Sequence, residues 1–305
     1  MKYLVLDITN ILYRTFFTHK TEDITTLTGL ATHAALVTIN KYYRQFKPHK
    51  IIMCFDRDNN WRKQYTLSDK CISKKVYKGN RRQKMTPKEK EKYAIFLSHV
   101  GEFENLIRYH TSIIVLAGEA LEADDLVGGT IQTLSITDPE AEFIVVSADK
   151  DMMQFISDNV ILMDPASGKA RTLKDFNNDV KYFMYEKCIR GDLGDNVQSA
   201  LPRVRKTRIQ KAYEDPYEHA NLMAEHWNGI DGTDFCVKDL FYENQLLMDL
   251  SKQPEDIQKR IITTVLEGVN NPGTFSFFHF MKFLGKYELK KIAEQAEQFA
   301  PMFSR

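Results

Sequence analysis

Five short apolar segments, separated by stretches with helical spacing, constrain this chain more than any other feature. Residues 2–7, 50–56, 112–116, 142–147 and 160–163 each read as a strand. Apolar runs of this length that alternate with helical patterns point to a parallel α/β sheet, whose crossover helices cover both faces of the strands. Helices are predicted at 27–46, at about 122–134 and, as a short turn, in DKDMMQF after the fourth strand. A further helix is predicted at 88–109, where Phe96, Val100, Phe103 and Ile107 share one face. After about residue 174 the strand signal fades. The spacing then predicts helices over 176–189, 203–213, 237–250, 254–266 and 286–299, with Pro202, Pro254 and Pro272 near element starts. The phenylalanines at 275, 277, 278, 280 and 283 read as core. The chain is therefore expected to comprise an α/β domain, 1–185, and a helical domain, 186–305, with no Gly/Ser linker between them.

At 305 residues, 43% hydrophobic and 27% charged, the chain can bury such cores without staples. It has no run of about 18 apolar residues, so no membrane partner is expected. Its first apolar run meets Asp7 too early to be a signal peptide. Cys54, Cys71, Cys188 and Cys236 form no CxxC pair, which suggests neither a zinc knuckle nor a disulfide framework. A reducing, cytoplasmic compartment is expected, the host-cell cytoplasm if a phage encodes the chain.

Acids sit at the ends of four of the strands. Asp7 and Asp56 end the first and second. Glu122, Asp124 and Asp125 (EADD) open the helix after the third, and Asp149 and Asp151 (ADKD) follow the fourth. GDLGDN adds Asp192 and Asp195 at the edge of the helical half. Ligands of open parallel sheets bind beyond the carboxyl ends of the strands, so the acids of the α/β half would gather at one edge. Each cluster alone has an ordinary explanation as a helix cap, a dipole-favoured first turn or a plain turn. Gathered together they would resist ionising unless a cation joined them. Mg²⁺ takes such hard oxygen ligands, and two ions about 4 Å apart can serve a phosphodiester displacement. No histidine lies in the clusters, which disfavours zinc.

Charge is distributed unevenly. Between residues 61 and 92 twelve Lys/Arg face only Asp69, Glu89 and Glu91, a net +9 in a chain whose total is +1. A basic stretch on an otherwise acidic chain suggests a polyanion held against a carboxylate-rich site; a solvated lysine-rich surface is the plainer explanation. The insertion, 61–109, is longer than an ordinary connection between strands.

These residues carry a resemblance. The acidic blocks, in order, resemble those of the flap endonuclease / 5′→3′ exonuclease superfamily, and YKGNR at 77–81 resembles its basic arch. The stretches 242–250 and 275–289 are similar to its bacteriophage branch of the T-even ribonuclease H type, so the likeness spans nearly the whole chain. It implies a PIN-like parallel sheet flanked by helices, a helical arch at 61–109 and a helix–three-turn–helix type C-terminal region. It also implies a Mg²⁺-dependent 5′→3′ exonuclease and flap endonuclease with ribonuclease H activity. Such an enzyme would remove RNA primers and 5′ flaps in phage lagging-strand replication. Two Mg²⁺ ions are implied, with Mn²⁺ as a substitute. Asp7, Asp56, Glu122, Asp124 and Asp149 would surround the first, with Asp125 as ligand or just behind. Asp151, Asp192 and Asp195 would hold the second. Asp149 and Asp151 with Lys78 and Arg81 would form the catalytic set. Arg14, Tyr77, Lys78, Arg81 and Arg82 would meet the nucleic acid, and Tyr77 could either stack on a base or pack within the arch.

After GDLGDN the chain departs from the pattern. Cellular members carry a Gly-x-Gly loop that can also hold a monovalent cation. Here Arg203, Arg205, Lys206, Arg208 and Lys211 stand without a single acid between 197 and 213. Duplex binding by side-chain charge is expected, with a steep salt dependence. The implied partners are branched or nicked DNA and RNA–DNA hybrid, with single-strand-binding protein or a sliding clamp as further candidates, and a monomer is expected. Two other functions compete. A catalytically inactive scaffold that senses nucleic-acid structure would use the same residues. A phosphatase with Asp7 as nucleophile would want an acid where Thr9 stands.

Overall fold

All five strands form, and they form one parallel sheet in this computed structural model. They are β1 (Lys2–Asp7), β2 (Lys50–Cys54), β3 (Ile114–Leu116), β4 (Glu142–Val146) and β5 (Val160–Met163), in spatial order β3-β2-β1-β4-β5. The described residues are 1–83 and 85–304, with the side chains of Arg82 and Gln83 left aside. The central strand β1 is almost wholly buried and reads accordingly as a continuous apolar run. The chain leaves β1 towards β2 and β3, then returns to β1's other side with β4. That reversal places a topological switch point beside the end of β1. Register brings Asp7 opposite Cys54, and Leu6 opposite Val146.

The helices are α1 (Ile8–Thr18), α2 (Ile24–Phe46), α3 (Trp61–Leu67), α4 (Gly79–Gln83), α5 (Pro87–His110), α6 (Ala123–Thr137) and α7 (Val180–Arg190). They continue with α8 (Lys206–Glu214), α9 (Pro216–Met223), α10 (Val237–Met248), α11 (Glu255–Asn270), α12 (Phe277–Lys286), α13 (Lys290–Ala293) and α14 (Ala296–Phe303). DKDMMQF becomes a 3₁₀ turn, Lys150–Phe155. Local chemistry sets the helix ends. Asp23 caps α2 by accepting the Thr26 N–H, and Lys47 ends it in a left-handed conformation just before Pro48. Thr86 and Glu89 form a reciprocal capping box at the start of α5, with Pro87 in the first turn. The predicted apolar face of α5 is buried as expected: Phe96, Val100, Phe103 and Ile107. Burying each such side chain stabilises the fold by about 1.5–3 kcal/mol.

By packing, the chain forms two compact units. One comprises Met1–Arg57, Thr86–Arg171 and Lys259–Arg305; the other comprises Asp58–Met85 and Thr172–Gln258. These packing units differ from a division at residue 185, which followed the change of element type. The last helices contribute Phe280, Phe283, Leu284, Phe299 and Phe303 to the same core as Phe16, Phe96 and Phe103. Gly129 on α6 permits a close approach of α11, since a Cβ there would collide with the Ile261 side chain. The second unit has its own core around Tyr182, Ile189, Ile209, Leu240 and Leu247.

Several details depart from expectation. In place of one helix at 286–299 stand the end of α12, then α13 and α14, with Glu288 turned left-handed between α12 and α13. Of the Phe-rich segment, Phe280 and Phe283 are buried and Phe275 packs against the core, but Phe277 and Phe278 are exposed because α12 is amphipathic. The helical half also holds an antiparallel hairpin, β6 (His226–Asn228) with β7 (Asp234–Cys236), whose tip includes Gly232 at a positive φ of 82°. Among the described residues no helix is long and apolar enough to cross a membrane.

Candidate active site

The first unit gathers acids at the carboxyl edge of its sheet. Asp7 ends β1 and caps α1, its Oδ1 accepting the Asn10 N–H at 3.1 Å. Its Oδ2 accepts the Ser147 hydroxyl at 3.0 Å. Asp56 follows β2; its N–H donates to Thr9 Oγ1, and its Oδ1 accepts the Ala123 N–H at 2.8 Å. This bond ties the loop after β2 to the start of α6. There Glu122 and Asp125 close a capping box, the Glu122 N–H donating to Asp125 Oδ2 at 3.1 Å. Asp124 lies in the same first turn, half-buried. Asp149 caps the 3₁₀ turn by accepting the Asp151 N–H at 2.8 Å, and the Asp149 N–H donates to Ser147 Oγ. Thus the carboxylates of Asp7, Asp56, Asp125 and Asp149 each accept a backbone N–H at the start of a helix or 3₁₀ turn, the capping chemistry that such clusters alone suggested.

Asp7 is nonetheless not at ease. It is 3% exposed, and its carboxyl is pushed up to about 8 by burial and by the neighbouring charges of Asp56 and Asp149. The donors Asn10 and Ser147 oppose that shift without cancelling it. The buried Cys54 thiol, next in the sheet, is pushed well above its ordinary range by burial and by Asp7, Asp124 and Asp56. Both groups register a negative potential at one place. Among the described residues no three such side chains are already drawn together as a ready-made metal-binding group. The donor set, all carboxylate and without histidine, fits a hard divalent cation.

Sequence reasoning missed Ser147. It is fully buried and serves both Asp7 and Asp149. Its position two residues before Asp149, at the end of a strand, was the available signal. Glu104 was also missed: buried on α5, it joins Arg57 at 2.7 Å and Arg108 at 2.8 Å, steadying the segment that carries Asp56. Arg14 is exposed on α1.

Asp192 and Asp195 belong to the second unit, with Tyr77, Lys78 and Arg81. Asp192 accepts the N–H groups of Gly194 and Asp195 and pairs with Lys187 at 3.1 Å. Burial would raise its carboxyl, but Lys187 and those N–H groups outweigh it and hold it below the usual range. Asp195 receives the Tyr77 hydroxyl at 2.8 Å, pairs with Arg81 and stands 3.8 Å from the Lys78 ammonium. Tyr77 is 5% exposed and part of the second core. Arg82 falls among the side chains outside the described ones. Arg203, Arg205, Lys206, Arg208 and Lys211 are exposed on and before α8. Arg208 pairs with Glu225, Lys211 with Glu218 at 2.6 Å, and Lys206 donates to the Asp175 carbonyl. The acids absent nearby in sequence arrive through the fold.

Comparisons with known proteins agree on the fold. Residues 2–185 match the family model for the 5′-3′ exonuclease N-terminal, resolvase-like domain. The structure resembles that of the bacteriophage T5 D15 protein co-crystallized with metal ions, with a TM-score of 0.65 at 17% identity, covering 88% of this chain and 99% of that one. It also resembles the T5 flap endonuclease in a pseudo-enzyme–product complex with DNA and metal ions, with a TM-score of 0.64 at 16% identity, covering 88% and 100% of the two chains. A third likeness is to the T5 5′-exonuclease with zinc ions bound, with a TM-score of 0.65 at 18% identity, covering 88% and 99%. A comparison with curated proteins finds no match.

Proposed function

The chain belongs to the 5′-3′ exonuclease family, through its N-terminal resolvase-like domain, and on that premise we propose that it is a structure-specific 5′→3′ nuclease that hydrolyses phosphodiester bonds with two divalent cations. The observation that carries the reading is the acidic sheet edge, where buried Asp7 is pushed up to about 8 by burial, Asp56 and Asp149. A chain gains nothing from such mutual repulsion unless a cation relieves it. Mg²⁺, with Mn²⁺ as a substitute, would be held by Asp7, Asp56, Glu122, Asp124 and Asp149, with Asp125 supporting and Asp151 reaching a second ion. When bound, such ions lower the pKa of attacking water and stabilise charge on the phosphate oxygens.

The chain's own residues supply orientation and further charge. Ser147 and the Asn10 N–H fix both oxygens of Asp7. The Ala123 N–H aims Asp56. Lys78 and Arg81 would bring positive charge to the substrate phosphate, where it matters most in the transition state. Arg14, Arg203 and Arg205 would grip the nucleic-acid backbone, aided by Lys206, Arg208 and Lys211. Phosphate contacts position without reading sequence, so specificity would come from substrate shape. The substrates proposed are branched or nicked DNA and RNA–DNA hybrid, and the biological task is removal of RNA primers and 5′ flaps during phage lagging-strand replication.

The test uses 5′-labelled flap DNA and a nicked RNA–DNA hybrid, with Mg²⁺ or with chelator. Short products from the 5′ end should appear only with metal. Asp149→Asn with Asp151→Asn should lower cleavage by on the order of 10³-fold while sparing DNA binding. Mg²⁺-dependent turnover retained in that variant would defeat the site. Tight binding without cleavage in the unaltered protein would favour the scaffold function instead.

A further inference from the structure

The base of the arch is fastened to the GDLGDN loop by more than one kind of bond. The Lys78 N–H donates to the Asp195 carbonyl at 2.8 Å, Asn80 Nδ2 to the Leu193 carbonyl at 3.1 Å and Arg81 Nε to the Gly194 carbonyl at 3.2 Å. In return Asn196 Nδ2 donates to the Val76 carbonyl at 2.9 Å. Lys78 is held with a positive φ of 53°, a left-handed conformation that L-residues adopt at a cost. At the centre lies the Asp195 carboxylate. Its Oδ2 takes the Tyr77 hydroxyl and faces the Lys78 ammonium, and its Oδ1 pairs with the Arg81 guanidinium. A hydroxyl, an ammonium and a guanidinium around one anionic group is also how a protein holds a phosphate.

We propose that Asp195 is a positioning residue, a latch whose carboxylate stands in for a substrate phosphate between Lys78 and Arg81. It keeps the arch cations pre-oriented and blocks their engagement by other anions. A nucleic-acid phosphate presented in the right place exchanges with the carboxylate, and Lys78 and Arg81 pass from Asp195 to the substrate. The asymmetry of exposure suits an exchange: Arg81 is 54% and Lys78 24% exposed, whereas Asp195 is 17% exposed and anchored by its own main chain. The cations can follow a ligand while the acid stays in place. This inference rests on the nuclease reading for the identity of the anion, but the latch itself is a property of the free protein.

Two measurements on the full chain test it. Binding to 5′-flap DNA, read by fluorescence anisotropy in chelator, should tighten about fivefold in Asp195→Asn, near the ceiling for a half-exposed ion pair. Tyr77→Phe, which removes one donor to the same carboxylate, should act in the same direction and less. In a Lys78→Met, Arg81→Gln background, Asp195→Asn should no longer change binding, since the two cations that the latch withholds from the nucleic acid are gone. Unchanged or weaker binding in Asp195→Asn would overturn the proposal. So would a gain that survives in the stripped background, because simple removal of a negative charge would then explain it. Limited trypsin digestion of the free protein should cut the 62–92 stretch several-fold faster in Asp195→Asn; an equal rate overturns the latch. If the unaltered protein binds no flap DNA at all, the nuclease reading fails, and the digestion still decides the latch.

Discussion

Asp7 at the end of β1 and Asp192 in the loop after α7 are both carboxylates that burial alone would push upward. Asp7 meets further acids, Asp56 and Asp149, and its carboxyl rises to about 8. Asp192 meets Lys187 and two backbone N–H groups, and its carboxyl falls below the usual range. The first unit thus concentrates negative charge at its sheet edge, while the second neutralises its acids from within, Asp195 included. Acids that face acids call for a cation from outside. Acids that face lysine and arginine orient those cations, and here the cations belong to the arch.

The sharpest way to break this comparison is Asp7→Asn. Cleavage should fall by on the order of 10²–10³-fold, the scale of losing a group that organises charge at the reacting centre. Stability should move the other way. A carboxyl whose folded pKa is raised binds more protons folded than unfolded, so its contribution is present below about 4 and is lost as pH rises through about 8. In chelator at pH 8 the variant should therefore melt roughly 2–4 °C higher, the shift produced by about 1 kcal/mol in a unit of this size. At pH 4 the two proteins should melt together. Added Mg²⁺ should raise the melting temperature of the unaltered protein more than that of the variant. A variant that melts lower at pH 8 in chelator would show that the sheet edge is not electrostatically strained. For Asp192 the sign reverses: its contribution is present above the unfolded carboxylate pKa and is lost as pH falls through the depressed folded value.

The same contrast explains what could be read in the sequence. The strands, the acids at their ends and the buried face of α5 were legible because apolar runs and helical spacing depend on near neighbours. α1 carries the same signal in Ile8, Ile11, Leu12 and Phe16, all buried, but follows β1 without a turn to announce it. Partnerships between distant segments were not legible. Nothing near Asp195 in sequence says that Tyr77, more than a hundred residues earlier, donates to its carboxylate. Nothing near Arg208 announces Glu225. The packing units were hidden for the same reason, since the helices after Lys259 share a core with residues from the other end of the chain.

A smaller effect sharpens the picture of the arch. Lys78→Ala removes one cation from the Asp195 cluster and, on the nuclease reading, from the substrate phosphate. Turnover under saturating flap DNA should fall about 10- to 100-fold, while affinity changes by no more than about threefold. A charge whose value is realised in the transition state affects the rate, not the ground-state complex. A loss confined to affinity would make Lys78 a general backbone anchor and would leave the arch without a chemical role.

The smallest effect separates two pairs of exposed cations around α8. Arg203, Arg205, Arg208 and Lys211 are all exposed, and of these Arg208 and Lys211 already hold Glu225 and Glu218. A cation paired with an acid releases fewer counterions when a phosphate approaches, because its charge is partly spent within the protein. Arg203→Gln with Arg205→Gln should therefore lower the slope of log affinity against log salt by roughly 2, about 0.9 for each phosphate that is no longer neutralised. Arg208→Gln with Lys211→Gln should lower it by less than about 1. Affinity at a fixed, moderate salt concentration should follow the same order, severalfold for the first pair and barely measurable for the second. Equal slopes would mean that duplex binding breaks the Glu225 and Glu218 pairs, and that charge in this region works as a single sheath. Unequal slopes would extend to α8 the rule visible at Asp195, that the fold decides which cations remain available.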